Sequence, residues 1–184
     1  MKKNKSILLN SDDLNKIIKR IAHEIVESHS NLDDVILVGI RTRGEFIAQR
    51  VQRQIEDICG IFLDLGIIDV TFHRDDYRTN LGSPRIGPSD IKVNLDSKTV
   101  ILLDDVLYTG RTIRSAMDEI FSFGRPSYIK LGVIVDRGHR ELPIRPDYIG
   151  KNMPTSTNEH IHVHLSEIDK IDQVVLLKYK SNNE

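Results

Sequence analysis

The segment Thr99-Val100-Ile101-Leu102-Leu103, closed by Asp104-Asp105, constrains this 184-residue chain more than any other. Four large aliphatic side chains in succession leave no polar face, which predicts a strand covered on both sides, as in a parallel sheet. Ile113, Ala116, Met117 and Ile120 then recur at helical spacing, so a turn over residues 106–111 leads into a helix that lays one face on that sheet. Two adjacent carboxylates are out of place in a core. At the carboxyl end of a strand they stand where open α/β sheets bind their ligands.

The rest of the chain suits the same architecture. Asn10 is placed to cap a helix with Asp13 at its N3 position, and Leu14, Ile17, Ile18, Ile21 and Ile25 form its apolar stripe. Lys16, Arg20, His23 and Glu27 fall on the other side. Residues 35–40 are a continuous apolar run containing Gly39, which predicts a central strand, and Ile47, Val51, Ile55 and Ile58 mark a helix over residues 44–58. Residues 61–65 predict a second strand, ended by Gly66, and residues 67–73 a third. Residues 74–90 lack periodicity and contain Gly82, Pro84, Gly87 and Pro88, the pattern of a lid or a disordered loop. Residues 128–135, 161–165 and 174–177 predict further strands, while residues 136–151 are too rich in Pro, Gly and charge for an ordinary helix. This order predicts one α/β domain over residues 1–184, an open and mostly parallel sheet flanked by helices, with a frayed tail from residue 178.

Composition narrows the function classes. A hydrophobic fraction of 39% and a charged fraction of 29% are those of an ordinary globular protein. The single cysteine, Cys59, excludes an internal disulfide framework and any Cys-x-x-Cys site, and suits a reducing cytoplasm. No stretch approaches the length of a membrane span, so no membrane partner is expected. A net charge of −1 does not announce a nucleic-acid binder. The charge is uneven, though: residues 1–20 hold six Lys/Arg against two Asp, and residues 41–53 four Arg against one Glu, enough for a basic face.

The chemistry concentrates at two turns. After Asp104 and Asp105 come Val106, Leu107, Tyr108, Thr109, Gly110, Arg111 and Thr112, a hydroxyl-rich glycine turn that opens a helix. Backbone N–H groups and the positive end of the helix suit a phosphate, and the paired carboxylates suit a sugar diol. Alternatively, the acidic pair only ends a strand and Thr109-Gly110 only turns the chain. The turn has neither the Gly-x-x-x-x-Gly-Lys-Ser/Thr of a P-loop nor the dinucleotide fingerprint, which argues against nucleoside triphosphate hydrolysis and hydride transfer. The second turn, Gly39-Ile40-Arg41-Thr42-Arg43-Gly44, follows the first sheet strand. Its arginines are either solvated loop residues or donors to a polyanion.

Residues 100–112 resemble the signature of the type I phosphoribosyltransferases, which use 5-phosphoribosyl 1-diphosphate (PRPP): four apolar residues, Asp-Asp, a short variable stretch, then Thr-Gly-x-Thr. By that resemblance Asp104 and Asp105 bind the ribose hydroxyls, Val106 to Thr112 wrap the 5-phosphate, and Arg41, Thr42, Arg43 and Gly44 form the diphosphate loop. It also implies a mobile loop opening at His73-Arg74-Asp75-Asp76-Tyr77, with Arg74 as a contact to the diphosphate; Asp75 and Asp76 are equally readable as loop solubilisers. Asp104, Asp105, Arg41 and Arg74 are thus the expected catalytic residues. Mg²⁺ is the expected cofactor, held mainly through PRPP rather than directly by protein. Breaking the bond between the anomeric carbon and diphosphate asks for positioning and electrostatics, and for a lid against water.

A narrower resemblance covers nearly the whole chain. Asp136-Arg137-Gly138-His139-Arg140-Glu141-Leu142-Pro143-Ile144-Arg145-Pro146 and the residues after it, Arg20-Ile21-Ala22-His23-Glu24, and Asp69-Val70-Thr71-Phe72-His73-Arg74-Asp75-Asp76 are similar to the bifunctional pyrimidine operon attenuator/uracil phosphoribosyltransferase family. His73 departs from the aromatic residue usual there, and the lid has its own sequence. The resemblance implies that uracil and PRPP are converted to UMP and diphosphate, that UMP or UTP is a ligand, that pyrimidine-operon leader mRNA is bound, and that the chain forms a homodimer or homohexamer. It places a hood over residues 136–160, with Val135, Asp136 and Arg137 near the base edge. Asp136 is either a direct reader of the base or a cap for the hood turn. Arg20, His23, His139, Arg140 and Arg145 are the RNA candidates, although an ordinary solvated face also accounts for Arg20 and His23. Two other readings remain open: an enzyme of the same fold used only for pyrimidine or purine salvage, and a regulator whose site survives as a nucleotide sensor.

Overall fold

The computed structural model describes residues 3–70 and 88–179. The expected lid therefore lies largely outside the described residues, and Arg74 with it. The main sheet has five strands: β2 (Val35–Ile40), β3 (Asp64–Ile68), β4 (Thr99–Leu107), β5 (Tyr128–Asp136) and β6 (Tyr148–Asn152), in the order β3-β2-β4-β5-β6. Every neighbouring pair is parallel. β2 is buried along its whole length, and its alternate residues serve two cores. Leu37 joins the core under α1 (Ser11–Ser28) and α2 (Arg43–Cys59); Ile36 and Val38 join the one under α3 (Arg111–Phe123). A strand covered on both faces cannot alternate with polar residues, which is why the aliphatic runs were so legible.

The helices follow their stripes. Asn10 Oδ1 accepts the N–H of Asp13 at 3.0 Å, and Asp13 Oδ2 accepts that of Asn10 at 3.2 Å, a complete capping box. Leu14, Ile17, Ile18, Ile21 and Ile25 are all buried beneath α1. α2 begins one residue earlier than its stripe suggested and ends at Gly60, whose φ of 74° suits the left-handed cap.

A second, antiparallel sheet sits over the carboxyl ends of the strands. It is built from the chain's two ends, β1 (Lys3–Leu9), β7 (Glu159–His164) and β8 (Gln173–Tyr179), in the order β1-β8-β7. α4 (Ser166–Asp169) joins its last two strands.

Several expectations need correction. Residues 64–68 form one strand running through Gly66, where two were expected; residues 61–63 are irregular. β4 continues past the acidic pair to Leu107, so the turn shortens to residues 108–110. β6, inside the expected hood segment, instead completes the main sheet, while β1 and β8 supply hood strands from outside that segment. The downstream end of the expected lid is anchored. Asp90 exchanges backbone hydrogen bonds with Ile67 at 2.7 and 2.9 Å, and Ser89 Oγ accepts the N–H of Asp69 at 3.1 Å while donating to Glu119.

Candidate active site

Asp104 and Asp105 lie near the carboxyl end of β4, 4% and 8% exposed. Buried carboxylates need partners. Asp104 Oδ1 accepts the N–H of Asp105 at 2.9 Å, and Asp105 Oδ1 that of Val106 at 2.8 Å, which fixes both side chains on a rigid strand. Leu107, Tyr108 and Thr109 then lead to Gly110, the N-cap of α3, with φ 94°. A side chain there would strain the backbone, although Leu142 and Ile144 would be met only at ordinary contact distance. The first turn of α3 carries no acidic residue of its own, and the positive end of its dipole faces the turn. From the hood, the Glu141 and Leu142 N–H groups donate to the Thr109 carbonyl at 3.0 and 3.2 Å, and Arg111 pairs with Glu141 at 2.6 Å.

The second turn stands beside this one because β2 is the neighbour of β4. Gly44 packs directly on the Leu103 carbonyl oxygen, where a Cβ would collide, so the start of α2 lies against the end of β4. The Arg41 N–H donates to the Ile68 carbonyl at 2.9 Å, and the Arg41–Thr42 peptide is cis. Arg41 Nε lies 3.9 Å from Glu45, and its Nη2 donates to the Pro88 carbonyl at 3.5 Å. Arg43 donates to both oxygens of Asp169 at 3.0 and 3.1 Å, while its buried Nε has no hydrogen-bond partner among the described residues. The turn thus follows the strand next to the one that carries the acidic pair, with Gly44 against the end of that strand.

The hood residues separate by role. Asp136 Oδ1 accepts the Gly138 N–H at 2.9 Å and Oδ2 accepts Arg140 at 2.6 Å, so its carboxylate ties the hood turn together. Val135 continues β5 and pairs with Val106 and Lys151. Arg137 is buried, 4.0 Å above the Tyr108 ring, and donates to Thr155 Oγ1 and the Glu159 carbonyl. Burial lowers its pKa from the ordinary value, against the opposing effect of Tyr108 and Glu159. Arg140 also donates to the carbonyls of Tyr108, Gly138 and Ile144, making it a structural clamp. His139 stacks edge-on with Tyr108 and bonds the Thr155 carbonyl, whereas Arg145 is exposed.

Arg20 does not point only to solvent, as its place opposite the isoleucine stripe suggested. Its guanidinium donates to the carbonyls of Ile149 and Gly150 at 2.8 and 2.6 Å and pairs with Glu24, so it pins α1 to β6. His23 is half-buried one turn away. Sequence reasoning missed Asp169 and the histidines of β7. Nothing local relates Asp169 to Arg43, but His160-x-His162-x-His164 alternates with Ile161 and Val163, and that period places three imidazoles on one strand face.

The phosphoribosyl transferase domain family matches this chain over residues 5–168. The chain belongs to that family. Among its relatives, the bifunctional protein PyrR of Chloroflexus aurantiacus is 46% identical over 180 residues, 98% of this chain and 99% of that protein. The bifunctional protein PyrR of Bacillus mycoides is 51% identical over 172 residues, 92% of this chain and 96% of that one. Phosphoribosyltransferases solved crystallographically share the fold at low identity. The hypoxanthine phosphoribosyltransferase of Trypanosoma cruzi superposes with a TM-score of 0.70 at 17% identity, covering 95% and 97% of the two chains, and that of Staphylococcus aureus with 0.70 at 18%, covering 97% and 94%.

Proposed function

We propose that this chain transfers the phosphoribosyl group of PRPP to uracil, giving UMP and diphosphate, and binds pyrimidine-operon leader mRNA in response to uridine nucleotide. The observation that carries the catalytic half is the juxtaposition of Asp104 and Asp105 on β4 with the Arg41–Thr42–Arg43–Gly44 turn on β2. The carboxylates accept hydrogen bonds from the ribose 2- and 3-hydroxyls, and the Thr109–Gly110 turn with the start of α3 receives the 5-phosphate. Arg41 and the turn's backbone face the diphosphate as it leaves. In the reaction the bond from the anomeric carbon to diphosphate oxygen breaks, a bond to the pyrimidine ring nitrogen forms, and that nitrogen gives up its proton. Arg137, held by Tyr108 and the hood, positions the base side of the cleft.

Mg²⁺ fits as a cation that arrives on the substrate, because the diphosphate brings its own hard oxygen ligands, and when bound it shares the charge of the leaving group. The regulatory half rests on full-length similarity to proteins named bifunctional, with His23, His139 and Arg145 offering groups to RNA. Assembly as a dimer or hexamer belongs to the same reading.

The test is product formation from PRPP with uracil, cytosine, hypoxanthine and guanine, each at equal concentration. UMP formation should dominate. A preference for either purine would move the chain to purine salvage and overturn the reading.

A further inference from the structure

The three histidines of β7 lie on the face opposite Ile161 and Val163, whose side chains are buried in the core. β7 packs against β4. At its beginning the Glu159 carbonyl accepts Arg137, on the base side of the cleft. At its end His164 Nδ1 is 3.4 Å from Asp169 Oδ1, on the carboxylate that grips Arg43 of the diphosphate turn. His162, half-buried between them, is within electrostatic range of Arg43 from α2 and Asp105 from β4. Its cross-strand partner Val175 is uncharged, as are the diagonal neighbours Gln173 and Leu177. The charged and titratable groups around His162 are thus Arg43, Asp105, His160 and His164.

We propose that His162 is a further ligand-binding residue of this site, one that takes up a proton as the diphosphate group enters and then holds it as imidazolium beside Arg43. The inference rests on the phosphoribosyl-transfer reading and extends it to a residue outside the two signature turns. A polyanion bound beside Arg43 reverses the sign of the electrostatics at this position. Burial, His164, Arg43 and His160 together hold the imidazole below its ordinary pKa, outweighing Asp105. A polyanion placed against Arg43 replaces that repulsion with attraction and raises the pKa. A group whose pKa rises on binding is taken up as a proton, so affinity increases as pH falls through the bound-state value and levels off below the free-state value. A rise of one unit corresponds to about a tenfold gain in affinity across that window.

Inorganic diphosphate with Mg²⁺ is the probe, titrated calorimetrically into the full chain between about pH 5.5 and pH 8.5, in buffers of different ionisation heat. The wild-type protein should take up protons on binding, and its affinity should rise toward acid more steeply than that of His162→Asn, because the probe's own ionisation is common to both. In parallel, the His162 ring resonance of the wild-type protein should titrate at higher pH with diphosphate than without it, a readout that does not depend on how the variant folds. Identical pH profiles for the two proteins, or an unmoved His162 titration, would overturn the inference and leave the proposed function standing. Failure of both proteins to bind diphosphate at any pH would overturn both.

Discussion

Asp104 and Asp105 owe their place to a compromise at the end of β4. Strand pairing would continue with apolar residues, yet two carboxylates are kept almost wholly buried, each tied to the next backbone N–H along the chain. Their orientation is therefore set before any ligand arrives, which limits the reorganisation a bound ribose would demand. D104N and D105N keep the shape and can still accept hydrogen bonds, but they lose the charge. Charge-assisted hydrogen bonds contribute about 1.5–3 kcal/mol, so kcat/KM for PRPP is expected to fall roughly tenfold to a hundredfold. Thermal unfolding should change little. Steady-state UMP formation checks this, and undiminished kcat/KM in both variants would remove the acidic pair from the site.

At the scale of elements, arginines of α2 hold the hood: Arg43 grips Asp169, and Arg50 makes the wider set of contacts. Arg50 reaches from the middle of α2 to Glu167 at 2.6 Å, to Asp172 at 2.8 Å and to Ser166 Oγ at 2.9 Å. Burial opposes ionisation of Glu167 and Asp172, but the hydrogen bonds and charge of Arg50 outweigh it, and both carboxyls lie below their ordinary values. Burial also opposes the Arg50 charge and is outweighed by the same two partners, which raise its pKa. Carboxyls depressed by folding contribute stability that is fully present above their unfolded pKa, about 4.3 for Glu and 3.9 for Asp, and lost as pH falls through the folded values. Part of the acid sensitivity of this protein should accordingly vanish in Arg50→Met. Urea denaturation at neutral pH should show a less stable variant, and the gap should narrow below about pH 4 as the wild type loses the same interactions. A gap that stays constant with pH would refute the linkage.

For the whole molecule the question is which surface an RNA would meet. Arg20 and His23 share one side of α1 but do different things: Arg20 ties the helix to the carbonyls of Ile149 and Gly150, and His23 has no hydrogen bond or ion pair among the described residues. His23→Ala is expected to weaken affinity for the cognate leader RNA while sparing uracil phosphoribosylation and thermal stability. Arg20→Ala should lower the melting temperature as well, since it frees α1 from β6. Leader affinity at fixed salt, with and without UMP and against a scrambled RNA, measures the effect. Equal binding of cognate and scrambled RNA by the wild type would leave only the enzyme.

Periodicity made the core readable. Runs such as Val35–Ile40 and the aliphatic start of β4 could only be strands covered on both faces, and the stripes of α1, α2 and α3 could only lie against them, because side-chain burial follows the local repeat of the backbone. The Asp104-Asp105 pair and the two glycine turns were equally legible, since their meaning depends on neighbours a few residues away. Pairings between distant segments were not. β1 has a weak apolar pattern and becomes a strand only because β8 supplies its hydrogen bonds; β6 reads as Pro- and charge-rich loop until it adds to the edge of β5. The grip of Asp169 on Arg43 and that of the Ile149 and Gly150 carbonyls on Arg20 span more than a hundred residues, beyond the reach of any local repeat. Local sequence determined the core strands, the long helices and the two turns; only the tertiary structure decided the edge strands, which of the site's charges face one another and which are held by the fold.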